Sequence, residues 1–284
     1  MSEALQAYTT IEVEPVGAVG ALVHGVDLRD VSDQALTELK EAFARHSLLL
    51  FRGQTLTPAE HQAIAERWGE INVNRFFSAV PDYPAIAEVR KEPDQQFNIG
   101  GGWHTDHSYD QIPALGSMLY AREVPAVGGD TLFASTCAAY DSLSEGLKET
   151  LARLEAVHSA RHVFGEDARR PAEMAGRLGN EQAAELDAVH PVVITHPLSG
   201  RKSLYVNGGF TRQFVGWTEE ESQPLLEYLY RHVARPEHTY RFHWEPGSLA
   251  FWDNRATWHF AVNDYHGHAR LMHRITLEGE ALHA

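Results

Sequence analysis

With 284 residues, 43% hydrophobic content and the single Cys137, the chain is long enough for one large core and cannot carry an intramolecular disulfide framework. A formal charge of −15 and a pI near 5.5 argue against nucleic-acid or anionic-membrane partners, which need basic patches, so an anionic small-molecule ligand would require a locally placed arginine. No apolar run approaches the roughly 18 residues of a membrane span, and Met1-Ser2-Glu3-Ala4-Leu5-Gln6 lacks the basic and apolar regions of a secretory signal. A cytoplasmic protein forming a single domain over residues 1–284 is expected.

Residues 9–28 alternate β-branched with small and polar residues and are broken by Gly17, Gly20 and Gly25, which predicts short strands and turns. Ser32 is the expected N-cap of a helix carrying Leu36, Leu39, Ala42 and Phe43 on one stripe. Ser47-Leu48-Leu49-Leu50-Phe51, closed by Arg52-Gly53, has the pattern of a buried strand. Thr57-Pro58-Ala59-Glu60 brings together a cap, a proline at the first helical position and an acid, opening a helix through Trp68. From Asn72 to Gly102 the periodicity fades among Pro81, Pro84, Pro93 and three consecutive glycines. This segment is expected to be an active-site lid holding a short strand around Ile86–Val89.

Gly116–Val124 predicts a strand, Gly128-Gly129-Asp130-Thr131 a tight turn into Leu132-Phe133-Ala134, and Ser135–Leu154 one helix with Ala139, Leu143, Leu147, Leu151 and Leu154 on a stripe. The polar stretch around 165–190 is expected to be an exposed helical insertion. Strands are expected at Val192–Thr195 and Leu204–Asn207, followed by a helix at Thr218–His232 with Thr218 as its cap. Four further strands follow: Tyr240–Trp244, Ser248–Asp253, Thr257–Val262 and Leu271–Leu277. The fold class read from this order is mostly β with flanking helices, a double-stranded β-helix (jelly roll, cupin-like) whose mouth can hold a metal.

The chemistry concentrates in Gly101-Gly102-Trp103-His104-Thr105-Asp106-His107-Ser108-Tyr109. In an extended segment His104 and Asp106 leave the same face. They make two legs of a tripod, since an Fe(II) centre that keeps positions open for reactants needs two His and one carboxylate on one side. Seventeen His residues make such pairs frequent by chance; the other match, His243-Trp244-Glu245, runs directly into a Pro246-Gly247 turn and has no companions. Trp252-Asp253-Asn254-Arg255-Ala256-Thr257-Trp258-His259-Phe260 supplies a second His in an apolar strand. By period two, Arg270, Met272, Arg274 and Thr276 share one face, with His273 on the other. Two arginines inside a small β barrel are costly unless an anion meets them, and a carboxylate matches the guanidinium fork.

His104-x-Asp106, the Gly129-Asp130-Thr131 turn, Trp252-Asp253-Asn254 leading to His259, and Arg270 with Arg274 resemble the Fe(II)/2-oxoglutarate-dependent dioxygenases of the taurine dioxygenase and aryloxyalkanoate dioxygenase group. The resemblance covers essentially the whole chain, including Gly25-Val26-Asp27-Leu28, His196-Pro197-x-Ser199-Gly200 and Tyr205-Val206-Asn207. It implies His104, Asp106 and His259 as Fe(II) ligands, and Arg270 with Thr131 at the distal carboxylate of 2-oxoglutarate. It places Arg274 against the anionic group of the primary substrate or beside the co-substrate. The implied reaction is hydroxylation of a C–H by O2, coupled to decarboxylation of 2-oxoglutarate to succinate and CO2.

Asp106, where a halogenase would need a small residue, counts against halogenation. Aligned with taurine-oxidising relatives, the polar set that meets taurine is changed here at Asn74, Phe77, Gly100 and Val163. With Phe76, Phe164 and Phe210 these residues imply an apolar pocket, suited to an alkyl or aryl carboxylate, sulfonate, sulfate or phosphonate rather than to taurine. A homo-oligomer, dimer or tetramer, is implied by analogy alone. A biosynthetic hydroxylase or desaturase and a catalytically silent jelly-roll metal-binding protein stand as alternatives; a zinc hydrolase lacks a suitably placed general base.

Overall fold

In the computed structural model, which describes residues 8–165, 168 and 187–284, two short strands come first: β1 (Glu12–Pro15) and β2 (Ala21–His24). Helix α1 (Asp33–His46) starts where the Ser32 hydroxyl accepts the Ala35 N–H, and it buries Ala35, Leu39, Ala42 and Phe43. After β3 (Leu48–Phe51), helix α2 (Pro58–Glu66) is opened by a reciprocal Thr57–Glu60 capping box with Pro58 in the first turn. Both helix starts lie where the sequence places them, because the caps satisfy amide groups that nothing else reaches.

The next strands are β4 (Ile71–Asn72), β5 (Ala79–Val80), β6 (Tyr83–Lys91), β7 (Gly116–Glu123) and β8 (Thr131–Ser135). The central part of the chain carries α3 (Thr136–Asp141), α4 (Glu145–Leu151), β9 (Glu155–Ser159), α5 (Arg161–Phe164), β10 (Asp187–Pro191), β11 (Val193–Thr195), β12 (Lys202–Leu204) and β13 (Thr211–Phe214). Helix α6 (Glu219–Val233), a 3-10 turn over Pro236–His238, and strands β14 (Thr239–Phe242), β15 (Leu249–Asp253), β16 (Thr257–Ala261) and β17 (Arg270–Leu277) complete it. No helix among the described residues is long and apolar enough to cross a membrane.

A nine-stranded sheet in the order β1-β2-β3-β15-β7-β17-β6-β5, with β4 also on β17, dominates a mostly β architecture. Three smaller sheets accompany it: β14-β8-β16, β10-β9-β13 and β11-β12. Strand β3 shows why an uninterrupted apolar run is needed. Leu49 and Phe51 pack under α1 and α2, while Leu48 and Leu50 face Phe133, Phe242 and Trp244 of the small sheet and turn beside it. Strand β15 alternates in the same way, with Phe251 stacked on Phe43 at 4.2 Å on one side and Trp252 near Phe133 at 5.8 Å on the other. The sheet is therefore covered on both faces, and the β8/β16 side forms the wall opposite β7 and β17.

Several sequence expectations change. The helix expected over Ser135–Leu154 is two helices, because Ser142 turns its hydroxyl onto the Ala139 carbonyl and Ser144 begins a new N-terminus, while Leu143 still reaches the core. The short strand expected around Ile86–Val89 extends over Tyr83–Lys91, held by five register pairs with β17, so much of the expected lid segment belongs to the main sheet. Strands β9 and β13 carry too little apolar periodicity to be read from sequence; pairing with each other and with β10 defines them. Most of the 165–190 insertion lies outside the described residues, and its end is strand β10, where Ala188 and His190 are buried rather than exposed. His273 lies on the face of β17 opposite Arg270 and Arg274, with Arg122, Glu88 and Arg90 around it.

Candidate active site

The His104 segment and strand β16 are joined by an isolated antiparallel bridge. His104 N–H donates to the His259 carbonyl (3.2 Å) and His259 N–H to the His104 carbonyl (2.8 Å). This pairing brings together imidazoles that are 155 positions apart in sequence. Asp106 sits between them: His104 Nε2 is 3.6 Å from Oδ1 and His259 Nε2 is 3.5 Å from Oδ2. One donor atom from each of the three residues lies within 4.8 Å of the others, and theirs is the one such His/Cys/Asp/Glu group among the described residues.

Hydrogen bonds orient the donors. His104 Nδ1 donates to the Gly102 carbonyl at 2.8 Å, which leaves the Nε2 lone pair facing Asp106. Burial, with the adjacent His104 imidazole, pushes His259 down to about 3, so it is a neutral lone-pair donor at physiological pH. Burial alone would raise the Asp106 carboxyl, but Arg274 and the two imidazoles outweigh it and hold the group ionised, well below the usual carboxylate range. The Thr105 hydroxyl, pointing the other way, donates to the Asn254 carbonyl at 2.5 Å and pins the segment to the turn before β16.

That turn is itself clamped. Asp253, fully buried, accepts from Arg255 N, Nε and Nη2 and from His196 Nε2, at 2.8 to 3.0 Å. His196 is held by Ser199, which explains the His196-Pro197-x-Ser199-Gly200 pattern as a brace. Asn207 accepts from the amides of Gly209 and Phe210 and donates to Ser108, tying the Phe210 turn to the motif segment. Two of the motifs left without a role at the sequence level, those of His196 and Asn207, are thus mechanical supports.

Arg270 and Arg274 both point inward from β17, as the period-two reading required. Arg270 is buried over Trp244 with its Nε and Nη2 lacking any hydrogen-bond partner, and burial lowers its pKa. Beside it, the Thr131 hydroxyl accepts from Trp244 Nε1 at 2.9 Å. The nearby Asp130 is taken up by Arg241 (2.6 Å) and His243 (2.8 Å). The preceding turn needs glycine: Gly128 and Gly129 have φ of +82° and +71°, and a Cβ on Gly128 would lie 2.9 Å from the Asp264 carbonyl oxygen. Arg274, expected against the substrate anion or beside the co-substrate, also reaches the donor cluster: its Nη2 donates to Asp106 Oδ2 at 2.7 Å, and Nη2 and Nε both reach Ser117 Oγ.

One cavity of about 500 Å³ brings together the three donors and both inward arginines. His104, Asp106, His259, Thr131, Arg270 and Arg274 line its floor; Asn74, Phe77, Val163, Phe164 and Phe210 line its wall. Phe76 and Phe164 stack face to face at 4.0 Å, and Tyr109 meets Phe210 edge-on at 4.8 Å. Asn74 spends its carbonyl oxygen on the amides of Phe76 and Phe77, fixing the turn that presents them. The sequence reading did not single out Tyr109, Asn98 or Leu119 as lining residues, and none carries a local signal for that position. His107 also lines the cavity. It is buried at φ +59°, with Nδ1 bonded to Asp110 (2.8 Å), itself paired with Arg75.

Residues 12–276 match the family model described as taurine catabolism dioxygenase TauD, TfdA family. The chain is 36% identical over 275 residues to an alpha-ketoglutarate-dependent sulfate ester dioxygenase of Pseudomonas putida, covering 95% of this chain and 90% of that one. It is 33% identical to an (S)-phenoxypropionate/alpha-ketoglutarate-dioxygenase of Sphingobium herbicidovorans, covering 88% and 89%. Its structure is similar to that of a taurine dioxygenase from Burkholderia xenovorans, with a TM-score of 0.81, 34% identity, and coverage of 96% and 91%.

Proposed function

The chain belongs to the taurine catabolism dioxygenase TauD, TfdA family, and we propose that it hydroxylates a C–H of a small organic anion while 2-oxoglutarate is converted to succinate and CO2. The observation that carries this reading is the convergence, in one cavity, of the His104/Asp106/His259 donor cluster and the buried, partly unpartnered Arg270. Two neutral-capable imidazoles and an ionised carboxylate on one side of a point fit Fe(II) and leave its other side to ligands. The orphaned Arg270 nitrogens fit the distal carboxylate of 2-oxoglutarate, with the Thr131 hydroxyl as a second contact. When bound, the iron and 2-oxoglutarate supply the oxidising power drawn from O2; overall, R–H, O2 and 2-oxoglutarate give R–OH, succinate and CO2.

The protein's own residues position reactants and exclude water. The His104–His259 bridge and the Asp253 clamp fix the donor set before anything binds, so little reorganisation is required on binding. Arg274 holds Asp106 in its ionised form and keeps Nη1 outside the bonds that Nε and Nη2 make, so Nη1 is the group that meets a substrate anion. Phe76, Phe77, Val163, Phe164 and Phe210 take the apolar part, an alkyl or aryl group, and place its C–H toward the floor. Relatives named for sulfate esters and phenoxypropionate fit the same division into an anionic end and an apolar body. A hydroxyl placed next to the oxygen of a sulfate ester or aryl ether would collapse with release of a carbonyl compound.

The same reading takes the chain as one cytoplasmic domain with a jelly-roll arrangement, β8 and β16 forming the small wall against β7, β15 and β17. It assembles as a dimer or tetramer, and the part of residues 72–102 that follows β6 provides a lid; Asn98 and residues 100–102, which line the cavity, support that last role. Anaerobic addition of Fe(II) and 2-oxoglutarate to metal-free protein tests the assignment. A weak visible charge-transfer band should appear and be lost in His104→Ala and Arg270→Ala. A well-folded wild-type protein without the band would leave a silent binding protein as the better reading.

A further inference from the structure

We propose that Lys91 is a second cation of the seat for the distal carboxylate, so that 2-oxoglutarate is gripped between Lys91 and Arg270; this rests on the assignment of Arg270 to that carboxylate. Lys91 ends β6 and Arg270 begins β17, and the two are direct antiparallel partners. Directly opposed residues have their Cβ atoms about 5 Å apart and project from the same face of the sheet. That face is the inner one, since Val89, two residues before Lys91, lines the main cavity together with Arg270. Lys91 is 2% exposed, an unusual position for a side chain that normally keeps its ammonium in water.

The local chemistry accounts for the burial. Lys91 Nζ lies 4.3 Å from the centre of the Tyr265 ring, whose face supplies negative density to a cation. The side chains of Tyr265 and Arg270 both lie beside Gly129, which sets the ring under Lys91 next to the Arg270 stem. A small cleft bounded by Lys91, Asn98, Ile99, Tyr265 and Arg270 adjoins the main cavity and shares Asn98, Ile99 and Arg270 with it. Asp130, near Arg270, is engaged by Arg241 and His243.

Two adjacent buried cations repel each other at low dielectric, and an anion placed between them converts that repulsion into two attractions. A carboxylate suits the place because it can accept from the guanidinium edge with one pair of lone pairs and from an ammonium with another. A monocarboxylic keto acid would leave the seat empty. Lys91 therefore contributes to the choice of a dicarboxylate co-substrate as well as to its affinity.

The test is calorimetric titration of Mn(II)-loaded protein, which binds without turnover, with 2-oxoglutarate and with 2-oxopentanoate, which has the same chain length and no distal carboxylate. Lys91→Met should weaken 2-oxoglutarate by about tenfold or more and leave 2-oxopentanoate within about twofold, as expected for loss of one charge-assisted contact. Lys91→Arg should restore most of the difference, and Lys91→Gln repeats the measurement where the Met variant does not fold. Equal weakening of both ligands, or of neither, overturns the proposal and leaves Lys91 as a support for Tyr265. Wild-type protein that binds both ligands alike, with Arg270→Met also neutral, overturns the co-substrate assignment itself. That outcome is distinct from a failure confined to Lys91.

Discussion

Replacing Arg270 with Met should move stability and ligand binding in opposite directions. In the free protein the guanidinium is buried, with two nitrogens lacking partners, and each unsatisfied donor costs about 1–3 kcal/mol. Met fills much of the same volume without that cost, and the contact with Trp244 that it forfeits is worth about 1 kcal/mol. The net expectation is stabilisation by about 2 kcal/mol. For 284 residues the unfolding entropy is about 0.6 kcal/mol per degree, so the melting temperature should rise by about 3 °C. In the wild type, 2-oxoglutarate at about a hundred times its Kd adds about 2.7 kcal/mol, or about 4–5 °C; in the variant this ligand-induced shift should vanish. The assay is thermal unfolding of metal-loaded protein with and without 2-oxoglutarate. A variant that melts lower than wild type without ligand, or that keeps the ligand shift, would refute the view of Arg270 as a pre-placed anion seat maintained at a cost to stability.

Three further outcomes follow from buried groups outside the donor cluster. His61 is buried with both ring nitrogens unpartnered, and burial, with His273 and Arg122 nearby, pushes it down to about 3. The unfolded chain then takes up a proton below about pH 6.5 that the folded one refuses, so stability falls as pH drops from there toward 3; His61→Leu should remove about 2.7 kcal/mol of the loss between pH 7.5 and 4.5, read from urea unfolding at both pH values. Equal pH losses in the two proteins would rule this out. Arg255→Met leaves the fully buried Asp253 carboxylate with only His196 and the backbone amide of residue 255 and should cost about 3–5 kcal/mol, measured by denaturant unfolding; a change under about 1 kcal/mol would mean that those two contacts suffice to hold it. Phe164→Ala removes the ring stacked on Phe76 and should cost about 3 kcal/mol while favouring bulkier anions in succinate-release assays. Uniform loss across a graded substrate series would place Phe164 in the scaffold rather than the pocket wall.

Local chemistry makes much of this protein legible in its sequence. The caps at Ser32, Thr57 and Thr218 fix three helix starts, since an N-cap acts on amides within three residues of itself. The period of two on β17 puts Arg270 and Arg274 on one face and His273, also buried, on the other, because a strand offers a side chain only two faces. His104 and Asp106 are readable as a pair for the same reason. Elements with weak periodicity are not: the break between α3 and α4 depends on Ser142 finding a carbonyl, and β9 and β13 exist through each other's hydrogen bonds. The membership of His259 in the donor set comes from likeness to a family, as no local signal links it to His104.

Which residue types are available for the chemistry, and which side of each element they occupy, follows from the amino-acid order alone, because capping and alternation are set within a few residues. That these residues meet is a property of the folded chain. A two-bond bridge sets His104 against His259, Arg274 turns onto Asp106 with Ser117 as its second partner, and register pairs Lys91 with Arg270. These contacts join positions 155, 168 and 179 residues apart. They depend on which strands lie side by side, and that arrangement follows from the summed burial of two covered sheet faces rather than from any single motif.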